Sequence, residues 1–281
     1  MALFPVNLAN FYTKYVIVIQ FLTAHFLGDI ISDKPIKEVD VSATSDPINV
    51  EDDIEFSEEQ HYIWRTLYER QSSKIRKFAC KEYIEGFDTL KLPPDRIPST
   101  HWLNERITPR TGWKTVRTTV RYSDAVQWYK HFARKEFLIT DYVRSREELD
   151  FTPEPDMFHD VYGHLPYFTL PEYVDIQQMF APAFHKASTD VQKENIKRLA
   201  WFSTEFGLIN ENGTRKIFGT GLISSKGEME HVLAGNTTIE VFKVETIVNF
   251  DKAIWSFNKT LFEFESLVEL KKELARYFDA L

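Results

Sequence analysis

The residues best suited to chemistry lie in 151–168, FTPEPDMFHDVYGHLPYF, where two histidines, His159 and His164, stand five residues apart. On a straight α-helix that spacing turns them about 140° away from each other, so a shared ligand requires the helix to end between them. Gly163 is suited to a left-handed C′ position and Pro166 cannot continue a helix, which would swing His164 back towards His159. The plainer reading is two separate histidines near a helix end, one a cap and one half buried. A third group comes from LAWFSTEFGL, where Glu205 is embedded among Ala200, Trp201, Phe202, Phe206 and Leu208. A carboxylate in such surroundings is costly unless it is paired or bound to a metal; its alternative is a side chain turned to solvent from a last helical turn. Two imidazoles and one carboxylate match the facial triad of non-haem Fe(II) oxygenases, which leaves positions open for O2 and co-substrate. Zinc hydrolases also use two histidines and a glutamate, so the donor set alone allows either metal.

The elements that must carry these groups are largely helical. Ser57 followed by Gln60 forms a capping box, and Ile63, Trp64, Leu67 and Tyr68 then recur at helical spacing. A second helix is expected over 78–87, closing near Gly86, before Pro93 and Pro94. Residues 113–122 (WKTVRTTVRY) alternate and are rich in β-branched types, which predicts a strand, with Ser123 opening a helix over 124–135. The prolines of TPEPD make 152–156 an irregular approach to the helix that bears His159. Thr189 with Gln192 caps a helix over 190–206, closed by Gly207.

Composition limits what the chain does. Among 281 residues, 43% are hydrophobic and 15% aromatic, which suits a large core and excludes a disordered chain. The 34 basic against 42 acidic residues give a net charge of −8, so no basic footprint points to nucleic acid or an anionic membrane. The single cysteine, Cys80, excludes an internal disulfide framework and a Cys-ligated zinc ribbon, and fits a reducing, cytoplasmic setting. The apolar part of residues 11–31 is too short and interrupted for a membrane span and lacks the charge pattern of a signal peptide; it is expected to pack on the body. Residues 33–56 are acidic and contain two prolines, so 1–56 read as an extension with a linker and 57–281 as one domain. The glycines of FGTGLISSKGE do not make GxGxxG and no Walker lysine motif exists, which removes a nucleotide-binding reading.

Residues 58–270, through HYIWRTLYERQ, EGFDTLKLP, RIPSTHWLNE, FTPEPDMFHDVYGHLPYF, WFSTEFGL and FGTGLISSKGEMEH in that order, resemble the pterin-dependent aromatic amino acid hydroxylases, particularly the short bacterial phenylalanine hydroxylases. The resemblance implies a single α+β, mainly helical domain with short peripheral strands. It makes His159, His164 and Glu205 iron ligands. It places Arg144 on the substrate carboxylate and Thr152, Pro155, Trp201 and Ser224 on the substrate side. Trp128 would stack on the pterin, with Asp160 an acidic group near it. The implied cofactors are Fe(II) and tetrahydrobiopterin or a related tetrahydropterin, with O2 as co-substrate. The implied partner is a small aromatic amino acid, taken by a monomer without nucleic acid or membrane. No regulatory amino-terminal domain or tetramerising heptad tail is expected.

The chain departs from that family at three places. Arg121, Tyr122 and Ser123 replace the glycine and leucines of the pterin loop. Ala200 replaces a tyrosine beside the iron. Glu263, in LFEFESLVEL, would face the substrate, where a charge disfavours a bare phenyl ring. The resulting expectation is hydroxylation of L-phenylalanine to L-tyrosine. The alternatives are another aromatic amino acid (tyrosine, tryptophan or an aminated phenylalanine) or a non-catalytic amino-acid-binding paralogue. A zinc hydrolase is disfavoured, since no glutamate follows His159 in the HExxH manner.

Overall fold

A computed structural model describes residues 54–281 except 122, 151, 153, 254 and 255. The apolar part of 11–31, expected to pack on the body, and nearly all of the acidic linker lie outside the described residues, as does Tyr122.

Helix α1 (Glu58–Phe78) starts at the predicted capping box: the Ser57 hydroxyl accepts from the Gln60 amide while the Gln60 side chain accepts from the Ser57 amide. It buries Ile63, Trp64 and Leu67. Helix α2 (Lys81–Leu90) begins later and ends later than expected. The chain is extended at Ala79, and Cys80 donates its amide to Ile217 at 2.9 Å, a long-range bond that delays the helix start. Gly86 does not close α2 but lies inside it, where a Cβ would stand 2.1 Å from the Pro166 carbonyl oxygen. Absence of a side chain there lets α2 rest on the backbone that follows His164.

Helix α3 (Thr100–Thr111) leads into strand β1 (Lys114–Thr118), half the predicted length, which pairs in parallel with β2 (Glu136–Thr140). The last four residues of each strand are buried, so neither shows the in-and-out burial that sequence alternation suggests. Helix α4 (Ala125–Phe132) between them is capped by Asp124 rather than Ser123, the Asp124 carboxylate accepting from the Val126 and Gln127 amides. The chain then runs through α5 (Pro171–Lys186) and α6 (Asp190–Ala200), the latter opened by the Thr189–Gln192 capping box.

Strands β3 (Leu208–Glu211) and β4 (Thr214–Ile217) form a hairpin, followed by helices α7 (Thr220–Ser224) and α8 (Lys226–Leu233). Strand β5 (Thr238–Val241), helix α9 (Val244–Ile247), strand β6 (Thr260–Phe264) and helix α10 (Leu267–Asp279) complete the fold. The four strands order as β4-β3-β6-β5, with β6 parallel to both neighbours. The architecture is α+β and mainly helical, as expected. Its core is dense in aromatic rings, including Trp64, Trp113, Tyr83, Tyr162, Phe137, Phe168 and Phe202. Among the described residues no helix is long and apolar enough to cross a membrane.

Candidate metal centre

His159 and His164 open and close a single π-helical segment, His159–His164, with no helix end between them. This corrects the expected break. Gly163 is not in the left-handed region, and the i→i+5 pattern of a π-helix stacks residues five apart on one face. The Nε2 atoms of the two imidazoles converge to 3.1 Å. Glu205 ends a second π-helical segment, Trp201–Glu205, which continues α6. There Phe206 donates its amide to the Trp201 carbonyl five residues back at 2.9 Å. Single π-turns inside helices are rare, so two that carry the three candidate ligands mark the site.

The carboxylate completes a compact triangle. Glu205 Oε1 lies 3.3 Å from His164 Nε2 and Oε2 lies 3.6 Å from His159 Nε2. Donors at right angles, each about 2.1 Å from a metal, stand about 3 Å apart, so these separations fit one ion bound on a face of the triad. Neutral imidazole nitrogen with carboxylate oxygen suits Fe(II) as well as zinc. Burial, with the neighbouring His164, pushes His159 down to about 4, so its ring is neutral. Burial would raise Glu205, but the His164 and His159 imidazoles and the Thr220 hydroxyl outweigh it and hold the carboxyl at about 2. Both groups are in the protonation state that metal binding requires.

Helix α7 sets two hydroxyls, those of Ser224 and Thr220, against the three groups. Ser224 donates its hydroxyl proton to the Thr220 carbonyl at 2.9 Å and faces His159 Nδ1 at 2.8 Å. It therefore accepts from Nδ1–H and leaves the Nε2 lone pair for a metal. Ser224 was expected on the substrate side, and its hydroxyl is engaged with His159 and the Thr220 carbonyl. The Thr220 hydroxyl, which the sequence reading did not single out, lies 2.9 Å from Glu205 Oε2 and 3.1 Å from His164 Nε2. The glycines of FGTGLIS make this approach possible, since a Cβ at Gly219 would meet the Glu205 carbonyl oxygen at 2.3 Å.

The other expected groups are distributed around this triangle. Arg144 is buried and bidentate to Asp156, with Nε–Oδ2 and Nη2–Oδ1 both 2.7 Å. Asp156, also missed from sequence, accepts the His159 amide at 3.0 Å and so ties this ion pair to the first ligand. The Arg144 charge keeps the Asp156 carboxyl below its ordinary value despite burial. Thr152 and Pro155 are half-buried in the irregular stretch between the pair's two halves. Asp160 is buried, and one oxygen accepts the Thr140 amide at 2.8 Å. Burial raises it to about 7 in spite of that bond. Trp128 packs on Phe132 and Phe137, and the Phe137 ring lies 5.0 Å from the His164 ring, so Trp128 stands one ring away from a ligand.

Trp201 begins the second π segment, its ring 4.5 Å from Phe206 and its indole N–H on Asn258 at 3.1 Å. Arg121 of the altered loop lays its guanidinium 3.5 Å from the Tyr142 ring centroid and 3.4 Å from the Glu154 carboxylate. Glu263, expected to face the substrate, has its carboxylate taken up by another charge. It pairs across the sheet with Arg215 at 2.6 Å, while its neighbours Phe262 and Phe264 point into the core. Period-two alternation puts Glu263 on the face of β6 opposite to Phe262 and Phe264.

The chain matches the family model described as biopterin-dependent aromatic amino acid hydroxylase over residues 43–281. It is 35% identical over 216 residues to a phenylalanine-4-hydroxylase of Chromobacterium violaceum, covering 76% of this chain and 72% of that one. A phenylalanine-4-hydroxylase of Mesorhizobium japonicum is 33% identical, with 83% and 84% covered. Among solved structures, the Chromobacterium violaceum enzyme with bound iron(III) and 7,8-dihydrobiopterin aligns with a TM-score of 0.76 at 32% identity, covering 80% of this chain and 82% of that one.

Proposed function

Because the chain belongs to the biopterin-dependent aromatic amino acid hydroxylase family, we propose that it is an Fe(II)- and tetrahydropterin-dependent monooxygenase that converts free L-phenylalanine to L-tyrosine. The observation that carries this reading is the convergence of His159, His164 and Glu205 donors to 3.1–3.6 Å on two π segments. When Fe(II) and the pterin are bound they supply the activation of O2 and the two electrons that reduce its second oxygen atom.

The protein's own groups bind, orient and exclude water. His159, His164 and Glu205 would hold the iron, with Ser224 and Thr220 fixing their orientation. Asp156 takes one N–H from Nε and one from Nη2 of Arg144, so three of the five guanidinium N–H groups remain. Those on the Nη1 side suit the substrate carboxylate. Thr152, Pro155 and Trp201 would wall the substrate side, with Trp128 and Asp160 on the pterin side. With Glu263 bonded to Arg215, the reason for disfavouring a bare phenyl ring falls away.

The test is aerobic turnover of Fe(II)-loaded protein with tetrahydrobiopterin and a panel of phenylalanine, tyrosine, tryptophan and 4-aminophenylalanine, read by mass spectrometry. The expected result is a product from phenylalanine, heavier by one oxygen, that co-elutes with tyrosine. Oxygenation confined to another member of the panel, or none at all, contradicts the proposal.

A further inference from the structure

Helix α8 begins with Ser225-x-x-Glu228, the sequence of a capping box, yet only half of the box forms. Ser225 caps the Glu228 amide at 3.3 Å, while the Glu228 side chain does not return to the helix start. It is buried instead, with Oε1 3.4 Å from Asn258 Nδ2 and, among the described residues, no partner for Oε2. A glutamate that gives up its capping bond for a buried, half-satisfied position sacrifices stability, which calls for a role elsewhere.

Asn258 supplies the link. It is itself fully buried, and its side chain makes one bond in each direction, Nδ2 donating to Glu228 and Oδ1 accepting the Trp201 indole N–H at 3.1 Å, while its backbone carbonyl accepts from the Thr237 hydroxyl. Gly227 lets the segment bearing Asn258 lie against α8, since a Cβ there would stand 3.1 Å from the Phe257 ring. At the other end, Trp201 opens the π segment that Glu205 closes.

We propose that Glu228 and Asn258 are positioning residues that lock the Trp201 indole in one orientation, so that the fit of the substrate ring against Trp201 depends on them. The proposal rests on the reading of Trp201 as a wall of the amino acid pocket. Glu228 fixes which end of the Asn258 amide faces the indole, because a carboxyl oxygen accepts from the NH2 end and turns the carbonyl towards Trp201. A bulky ring held by a single directional bond at its edge can swing or tilt when that bond is lost, and the pocket then admits rings of other sizes.

A double-mutant cycle on the iron-loaded full chain tests this, with tetrahydrobiopterin and with phenylalanine and tryptophan as competing substrates. Asn258→Leu and Glu228→Leu should raise KM for phenylalanine about two- to tenfold with little change in kcat, and should narrow the preference for phenylalanine over tryptophan. Glu228→Gln, which keeps an acceptor oxygen, should restore both. In a Trp201→Phe background, where no indole N–H exists, Asn258→Leu should have no further effect on KM. Asn258→Ser enters the same cycle, so that it can be read even if the leucine variant does not fold. An equal effect of the Asn258 variants in both backgrounds, or an unchanged KM in folded Asn258 variants, overturns the relay. If Trp201→Ala itself leaves KM and preference unchanged, the pocket reading fails first, and the proposal with it.

Discussion

The Nε2 atoms of His159 and His164 stand 3.1 Å apart, although five residues separate them and a straight α-helix would turn them about 140° from each other. The π-helical turn between them resolves that conflict without ending the helix, and it makes the ligand spacing a property of local backbone geometry. Removing one donor should therefore collapse the metal site without moving the others. His164→Ala and Glu205→Ala are expected to bind no stoichiometric Fe(II) by elemental analysis while remaining folded by circular dichroism. Stoichiometric iron in either variant would remove that residue from the ligand set.

Ser224 would act on a bound iron through His159. Ser224→Ala deletes the acceptor of the His159 Nδ1–H and frees the ring to rotate or change tautomer. Losses of this kind cost roughly 10- to 100-fold in metal affinity. Iron titration of the variant should show a weakened site; unchanged affinity would show that the imidazole needs no support from α7.

If Arg144 holds the substrate carboxylate as proposed, its pair with Asp156 ties substrate recognition to stability. Because both groups are buried, Asp156→Ala leaves an uncompensated guanidinium and should cost about 3–5 kcal/mol in urea unfolding. Arg144→Lys keeps a charge but loses the planar fork, and should chiefly raise KM for the amino acid. A KM equal to that of the parent would detach Arg144 from the substrate carboxylate.

Glu263→Gln tests whether the Glu263 carboxylate serves Arg215 or the substrate. The Arg215 side of the pair is half exposed, and ion pairs open to water contribute up to about 1 kcal/mol. Activity and substrate preference should be unchanged. A tenfold shift in KM would return Glu263 to the pocket.

Burial raises the Glu228 carboxyl from an ordinary 4.5 to about 7. Below about 4.5 it is protonated in both folded and unfolded chains and costs nothing. Between 4.5 and 7 the unfolded chain loses its proton first, so the group's contribution to stability falls as pH rises, by at most about 3 kcal/mol. Chemical unfolding of parent and Glu228→Gln across pH 4.5–8 should show the parent falling relative to the variant. Parallel profiles would mean that the carboxyl is not perturbed.

Much of this was legible in the sequence because the signals were local. The Ser57–Gln60 and Thr189–Gln192 capping boxes fixed two helix starts, and residue type alone proposed His159, His164 and Glu205. The π geometry was not legible, since a five-residue spacing reads equally as a helix break when only α-helical periodicity is assumed. Thr220, Asp156 and Asn258 were missed because their roles depend on partners 15, 12 and 57 residues away in sequence. The Glu263–Arg215 pair was not legible either, since the partners lie 48 residues apart and β6 carries no motif to anchor the count.

The most direct test of the account is turnover of phenylalanine under 18O2 by the Fe(II)-loaded protein with tetrahydropterin. The account predicts tyrosine carrying one 18O atom, formed only when both iron and pterin are present and absent in Glu205→Ala. Tyrosine labelled from water, formation of labelled product without pterin, or no product from iron-loaded protein would contradict it.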